Sequence, residues 1–314
     1  MWERELSRYR EQMAARGLAR VTVCHRGNLA AQMFGFLSAA GLTDLRDVSK
    51  DHIDAYLGYL AGDYKTAKGR PISIRHLRGH FLCVKDFFAW LVREGRILRS
   101  PYGMRQSPKA PPARLPAVLT PEETVLVLES ADPRALLGLR DRSMLELLYS
   151  TGMRKGELVA LNLDDFSFER REAVILKSKS KKGRVVPVGE YARHFTEAYI
   201  RTVRSLLVID EEEKALFVSR QSGRRIAVRT VGQIVARAAK QSGISTPVTP
   251  HTFRHSMATH MLRNRADLRH IQAILGHSQI SSTEIYTHVS LEDLKEVVRR
   301  AHPHGRKGGR SVVP

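Results

Sequence analysis

Five of the chain's prolines fall between Ser100 and Pro116, and no other feature restricts the fold as sharply. Proline fixes φ and has no amide hydrogen to donate, so a stretch this dense ends any helix and stays out of a central strand. The 314 residues are thereby divided into two parts, each long enough to bury its own core. Residues 1–104 read as a helical domain, 105–117 as a linker, 118–301 as a second domain and 302–314 as a basic, disordered tail poor in core-forming residues. Arg105, Lys109 and Arg114 make the linker basic. That charge suits either a solvated spacer or a segment lying along a phosphate backbone.

The apolar residues set the fold class. In the first part they recur at helical spacing: Leu29, Met33, Phe36 and Leu37; Ile53, Tyr56, Leu57 and Leu60; then Leu77, Phe81, Val84, Phe87, Phe88 and Leu91. Four or five short helices are expected there, with a basic-rimmed loop from Gly62 to Pro71. The second part opens on Thr120, Pro121 and Glu123, an N-cap, a first-turn proline and a capping box. Apolar runs at Ala173–Leu176 and Val185–Val188, joined by KSKSKKGR, predict a β-hairpin. The remainder is helical, so the class is mainly α with a small β-sheet or hairpin.

Charge narrows the partner. With 52 Lys plus Arg against 32 Asp plus Glu, the formal net charge is +20, a strong preference for a polyanion. Nucleic acid is the first candidate and a membrane surface the minor one. No run of about eighteen apolar residues occurs, and the start MWERELSRYREQ alternates in charge where a signal peptide needs an apolar run. A cytoplasmic, nucleoid-associated protein without a membrane partner is expected. Cys24 and Cys83 have no CxxC spacing, which supports neither a disulfide framework nor a zinc cluster, and both read as buried small hydrophobes. A GxxxxGK[ST] phosphate loop and DxD carboxylates are both missing, so no ATP, metal or other cofactor is expected.

Against that background six residues form a chemical set: Arg154, Lys179, His251, Arg254, His277 and Tyr286. A phosphodiester under attack gathers negative charge on its non-bridging oxygens. Without a metal it requires fixed cations, a proton donor for the leaving oxygen and a nucleophile. Arg154 follows a helix, Asp141–Ser150, that stops at Thr151-Gly152, and it opens another, Lys155–Leu161, where Glu157 is one turn away and able to hold its guanidinium. Thr249 and Pro250 start a helix that places His251 and Arg254 one turn apart on one face, beside a helix N-terminus suited to phosphate. His251 and His255 also have the spacing of a zinc pair, but Thr252 stands where a HExxH motif requires glutamate. His277 comes after a helix stop at Leu275-Gly276, and Ser281 to Glu284 form a capping box ahead of Ile285 and Tyr286. On the hairpin, spacing does not choose among Lys177, Lys179, Lys181 and Lys182 as the proton donor.

The segments TGMRKGEL, HTFRHSMATHML and LGHSQISSTEIYTHVS resemble the tyrosine recombinases of the phage-integrase family, and Xer-type members in particular. The resemblance implies a helical, SAM-like core-binding domain and an α/β catalytic domain that clamp around double-stranded DNA. It assigns Arg154 and Arg254 to the scissile phosphate, His251 to general base or acid chemistry, His277 to a phosphate contact and Tyr286 to the attack. Counting back from Arg184 and Pro187, Lys179 matches the family's lysine, with Lys181 in reserve. The implied reaction passes through a 3′-phosphotyrosyl bond and a Holliday junction, on a homotetramer or a heterotetramer with a second recombinase at specific sites. The stretch Leu291–Arg300 is amphipathic and suited either to a neighbouring protomer or to its own subunit. With no room before residue 1 for an arm-binding domain, a simple-site recombinase is expected. Type IB topoisomerase-like relaxation and a catalytically silent DNA-binding regulator are the alternatives.

Overall fold

The computed structural model describes residues 2–109, 117–177, 180–276 and 290–304, except the side chains at 177 and 180–182. Two compact units form, Met1–Arg114 and Leu115–Pro314.

The first unit is built from α1 (Trp2–Ala15), α2 (Arg20–Ala39), α3 (Lys50–Gly62) and α4 (Ile74–Arg93). Two serines start helices: Ser49 accepts from the His52 amide ahead of α3, and Ser73 from the His76 amide ahead of α4. The predicted apolar stripes converge, with Leu37, Ile53, Leu60, Phe87, Phe88 and Leu91 fully buried. Two of the helices are longer than expected at 20 residues each. Phe36 is only partly buried and stacks on Tyr59 at 5.2 Å. Cys83 is buried and donates to the Arg26 carbonyl at 3.4 Å, as a small core residue should. Cys24 is exposed, contrary to the sequence reading, because it lies on the outer face of α2. Arg105 does not serve as a free linker charge. It pairs with Asp54 at 2.5 Å and donates to the Lys50 carbonyl at 2.7 Å, which ties it into this unit.

The second unit contains α5 (Pro121–Glu129), α6 (Leu136–Thr151), α7 (Lys155–Ala160), β1 (Phe166–Ser167), β2 (Glu172–Lys177), β3 (Ser180–Pro187), α8 (Glu190–Tyr199) and α9 (Ser205–Leu207). It continues with α10 (Val228–Gln241), α11 (Pro250–Arg263), α12 (Leu268–Leu275) and α13 (Leu291–Ala301). The capping box at α5 forms as predicted: Thr120 accepts from the Glu123 amide at 3.1 Å, and Glu123 accepts from the Thr120 amide at 2.9 Å. The strands make one antiparallel sheet in the order β1-β2-β3, with Ala173 opposite Val186 and Ile175 opposite Arg184. The hairpin was expected; the two-residue β1 was not, being too short to show a period.

Helix α6 is the centre of this unit. Every residue from Arg140 to Thr151 is buried. Charge inside a core must be paired. Arg140 bonds Asp141 at 2.9 Å, Arg142 bonds Glu146 at 2.9 Å, and Ser143 meets Thr196 at 2.9 Å. The helix begins five residues before the expected Asp141, because Arg140 turns into this network instead of marking a solvated end. Helix α13 buries Leu294, Val297, Val298 and Ala301 within its own unit, packed on β3, α11 and α12. Directly beyond it, His302 is buried and His304 bonds Glu146 at 3.1 Å, so these residues, read as the start of the tail, pack into the body.

Candidate active site

The end of α6 is a forced stop. Gly152 has φ +57, and a Cβ there would lie 2.3 Å from the Met257 methyl and 2.7 Å from Leu275 Cδ2. Only glycine combines that left-handed backbone with so close an approach. The turn places Arg154 as the N-cap of α7, where its amide donates to Glu157 Oε2 at 2.8 Å and its Nη1 to Oε1 at 3.0 Å. The sequence-predicted pairing with Glu157 is present, and the Arg154 side chain stays 47% exposed.

Arg254 sits on α11 in a different setting. It is 6% exposed. Its Nη1 donates to the Gly152 carbonyl at 2.6 Å and its Nη2 to the Leu275 carbonyl at 2.7 Å, so two helix C-termini cradle it. Burial, then Arg154 and Arg184, pull its pKa down to about 10 against the opposing pull of Glu157, which leaves it charged at neutral pH. One turn earlier, His251 is exposed at the first turn of α11, behind the predicted Thr249 cap. Its pKa lies below the ordinary value; desolvation comes first among the causes, followed by the positive field of His255, Arg254, Lys155 and Arg154. A neutral imidazole beside two arginines is able to accept a proton.

Arg184 on β3 completes the cluster and was not singled out from the sequence as a site residue. Its Nη1 and Nη2 form a bidentate pair with Glu157 at 3.0 and 2.8 Å, and its Nε donates to the Ile274 carbonyl at 3.0 Å. Burial works against the Glu157 carboxylate, but the Arg184 hydrogen bonds, the Arg154 amide and the charge of Arg184 outweigh it and hold the pKa at about 2. The signal for Arg184 was available in the alternation of GRVVP. Position 184 shares a strand face with Val186, which is fully buried, so an arginine there occupies an inward position.

The structure therefore brings together Arg154, Arg254 and His251 of the predicted set, and adds Glu157 and Arg184. Lys179, His277 and Tyr286 lie outside the described residues. Among the described residues no group of three or more His, Cys, Asp or Glu is placed to hold a metal ion. No helix among them is long and apolar enough to cross a membrane.

The second unit is thus mainly helical with one short antiparallel sheet, and it carries Arg154 and His251 at helix starts with Arg254 one turn into α11. The model of the phage integrase family matches residues 117–293, more than half of the chain. The sequence is 40% identical to the tyrosine recombinase XerC 2 of Ralstonia nicotianae, over 84% of this chain and 75% of that protein. The chain belongs to the phage integrase family of tyrosine recombinases. Among solved structures, its fold is similar to the XerH site-specific recombinase bound to its difH substrate in a pre-cleavage complex, with a TM-score of 0.67 and 22% identity, over 92% of this chain and 83% of that one. It is likewise similar to the lambda integrase tetramer bound to a Holliday junction, with a TM-score of 0.64 and 20% identity, over 90% of this chain and 80% of that one. The function is site-specific DNA recombination. The relaxation and silent-regulator alternatives gain no support from these relatives.

Proposed function

We propose that recombination by this chain runs through Tyr286 as nucleophile, with Arg154 and Arg254 on the scissile phosphate. The Tyr286 Oη attacks phosphorus, a 3′-phosphotyrosyl bond forms and the bond to the 5′ oxygen breaks. His251 takes the phenolic proton, Lys179 supplies one to the departing 5′ oxygen, and His277 contacts a non-bridging oxygen. A 5′ hydroxyl from the partner duplex then attacks the phosphotyrosyl bond, which passes the strands through a Holliday junction. One phosphodiester is exchanged for another of similar energy, so the cycle needs no ATP. Double-stranded DNA at a specific site is the partner, the active assembly is a tetramer of this chain alone or with a second recombinase, and the place of action is the nucleoid. The helical unit serves as core-binding domain and the second unit as catalytic domain.

The fixed fork of Arg254 carries this reading. A guanidinium held by two neutral carbonyls keeps its full charge in a set direction, which is what stabilises charge developing on a phosphate. Incubation with nicked suicide duplexes drawn from the protein's own genome, followed by denaturation and sequencing of the attached DNA, tests it. One recurring site, lost in Tyr286→Phe and unaffected by EDTA, is the expected result. Adduct formation by Tyr286→Phe at the wild-type rate would overturn the mechanism.

A further inference from the structure

Arg184 is tied to three pieces of chain at once. It stands on β3, in the hairpin whose connection contains Lys179. Its fork closes on Glu157, which holds both the amide and the side chain of Arg154. Its Nε bonds the Ile274 carbonyl in the last turn of α12, three residues before His277 in the chain. The fit is tight: a Cβ at Gly276 would lie 2.8 Å from Arg184 Cδ and 3.0 Å from its Nε. The side chain is 11% exposed and Glu157 15%, so this is no solvated surface pair of small worth.

We infer that Arg184 is a positioning residue for strand cleavage: through Glu157 it sets the orientation of Arg154, and through the Ile274 carbonyl it ties the hairpin to the end of α12. The inference rests on the reading of Arg154 as a phosphate ligand. Only a planar fork with a third donor makes all three bonds, which a lysine ammonium cannot reproduce in the same geometry. Because both Glu157 oxygens face Arg184, the guanidinium of Arg154 is left with a single bond to that carboxylate, at 3.0 Å. It is aimed but not consumed.

The test compares Arg184→Lys, Arg184→Ala, Glu157→Gln and Arg154→Ala in single-turnover adduct formation on a nicked duplex carrying the site recovered by trapping. Arg184→Lys is expected to cleave roughly 10²-fold more slowly, the scale of an angstrom-sized misplacement, with DNA affinity within about threefold as for any side chain that makes no ground-state contact. Added guanidinium ion should restore part of the loss in Arg184→Ala. Arg184→Lys combined with Glu157→Gln should be no slower than the worse single variant, as expected for two members of one network. The acid limb of the rate profile should move to higher pH in Arg184→Lys, because Glu157 loses the partner that keeps it ionised. Wild-type cleavage by Arg184→Lys, losses that multiply in the double variant, or loss of folded structure in both Arg184 variants would overturn the inference. If Arg154→Ala cleaves at the wild-type rate, the phosphate-ligand reading itself fails; if Arg154→Ala is slow and Arg184→Lys is not, only the positioning role does.

Discussion

The two units bury different chemistry. In the first, the core is apolar, aliphatic side chains around a knot of rings: Phe87 meets Tyr9 at 5.2 Å and Phe34 at 5.1 Å, with Trp90 and Phe88 alongside. Its buried polar groups are few, chiefly Glu5 and His80. In the second, Arg140, Asp141, Arg142, Glu146, Arg204, Arg254, His260 and His302 are all buried. Charge pairs inside a protein contribute little net stability compared with apolar residues of the same size. The second unit therefore spends its interior on direction as well as cohesion, and its arginines are the groups for which direction has chemical meaning.

That contrast is open to attack by substitution. The largest effect is expected from Phe87→Ala, which should cost about 3–5 kcal/mol. Urea unfolding should show the loss in the transition of the helical unit alone; an equal shift in both transitions would break the contrast. Next, Arg254→Ala should slow adduct formation about 10²–10³-fold, the range for removal of one fixed donor to developing charge. Arg254→Lys should recover little of it. A smaller effect separates two buried histidines. His80 is lowered to about 4 by burial, then by His76 and His25. His302 is lowered to about 3 by burial and then His304, against the opposing Tyr149 carbonyl and Glu146. Each is neutral when folded and binds a proton more readily when unfolded, so stability is lost as pH falls from about 6.5 toward the folded value. The expected slope is about 1.4 kcal/mol per pH unit for each histidine. Replacement by Gln should flatten the slope of its own unit only, as followed by thermal unfolding between pH 4 and 7. The smallest effect is Thr120→Ala, about 1 kcal/mol from the lost α5 cap, visible as a modest drop in the urea midpoint of the second unit without change in cleavage.

Much of this was legible in the residues. Thr120 with Glu123 and Thr249 with Pro250 announce helix starts because the cap is a local bond, complete within four residues. Gly152 and Gly276 announce stops for the same reason, since both adopt the left-handed conformation that ends a helix. The pairing of Arg154 with Glu157 was likewise visible at one helical turn. The second partner of Glu157 was not, because Arg184 is 27 residues away and arrives by sheet register. The true start of α6 was hidden too, since Arg140 and Arg142 look solvated in sequence and are internal in the fold. Cys24 failed in the opposite direction: residue type suggested burial, and the face of α2 decided otherwise.

The cradle of Arg254 has a consequence for how this protein tolerates change in chain length. Its carbonyls come from Gly152 and Leu275, the closing turns of α6 and α12. Each residue of an α-helix advances the chain by about 100° and about 1.5 Å. Deleting or inserting one residue within either helix would swing its last carbonyl away from the guanidinium, however conservative the composition. The exposed loop around Glu211 and Glu212, with no such geometry to preserve, should accept the same insertion. Helices α6 and α12 are thus rulers for the one arginine held between their ends.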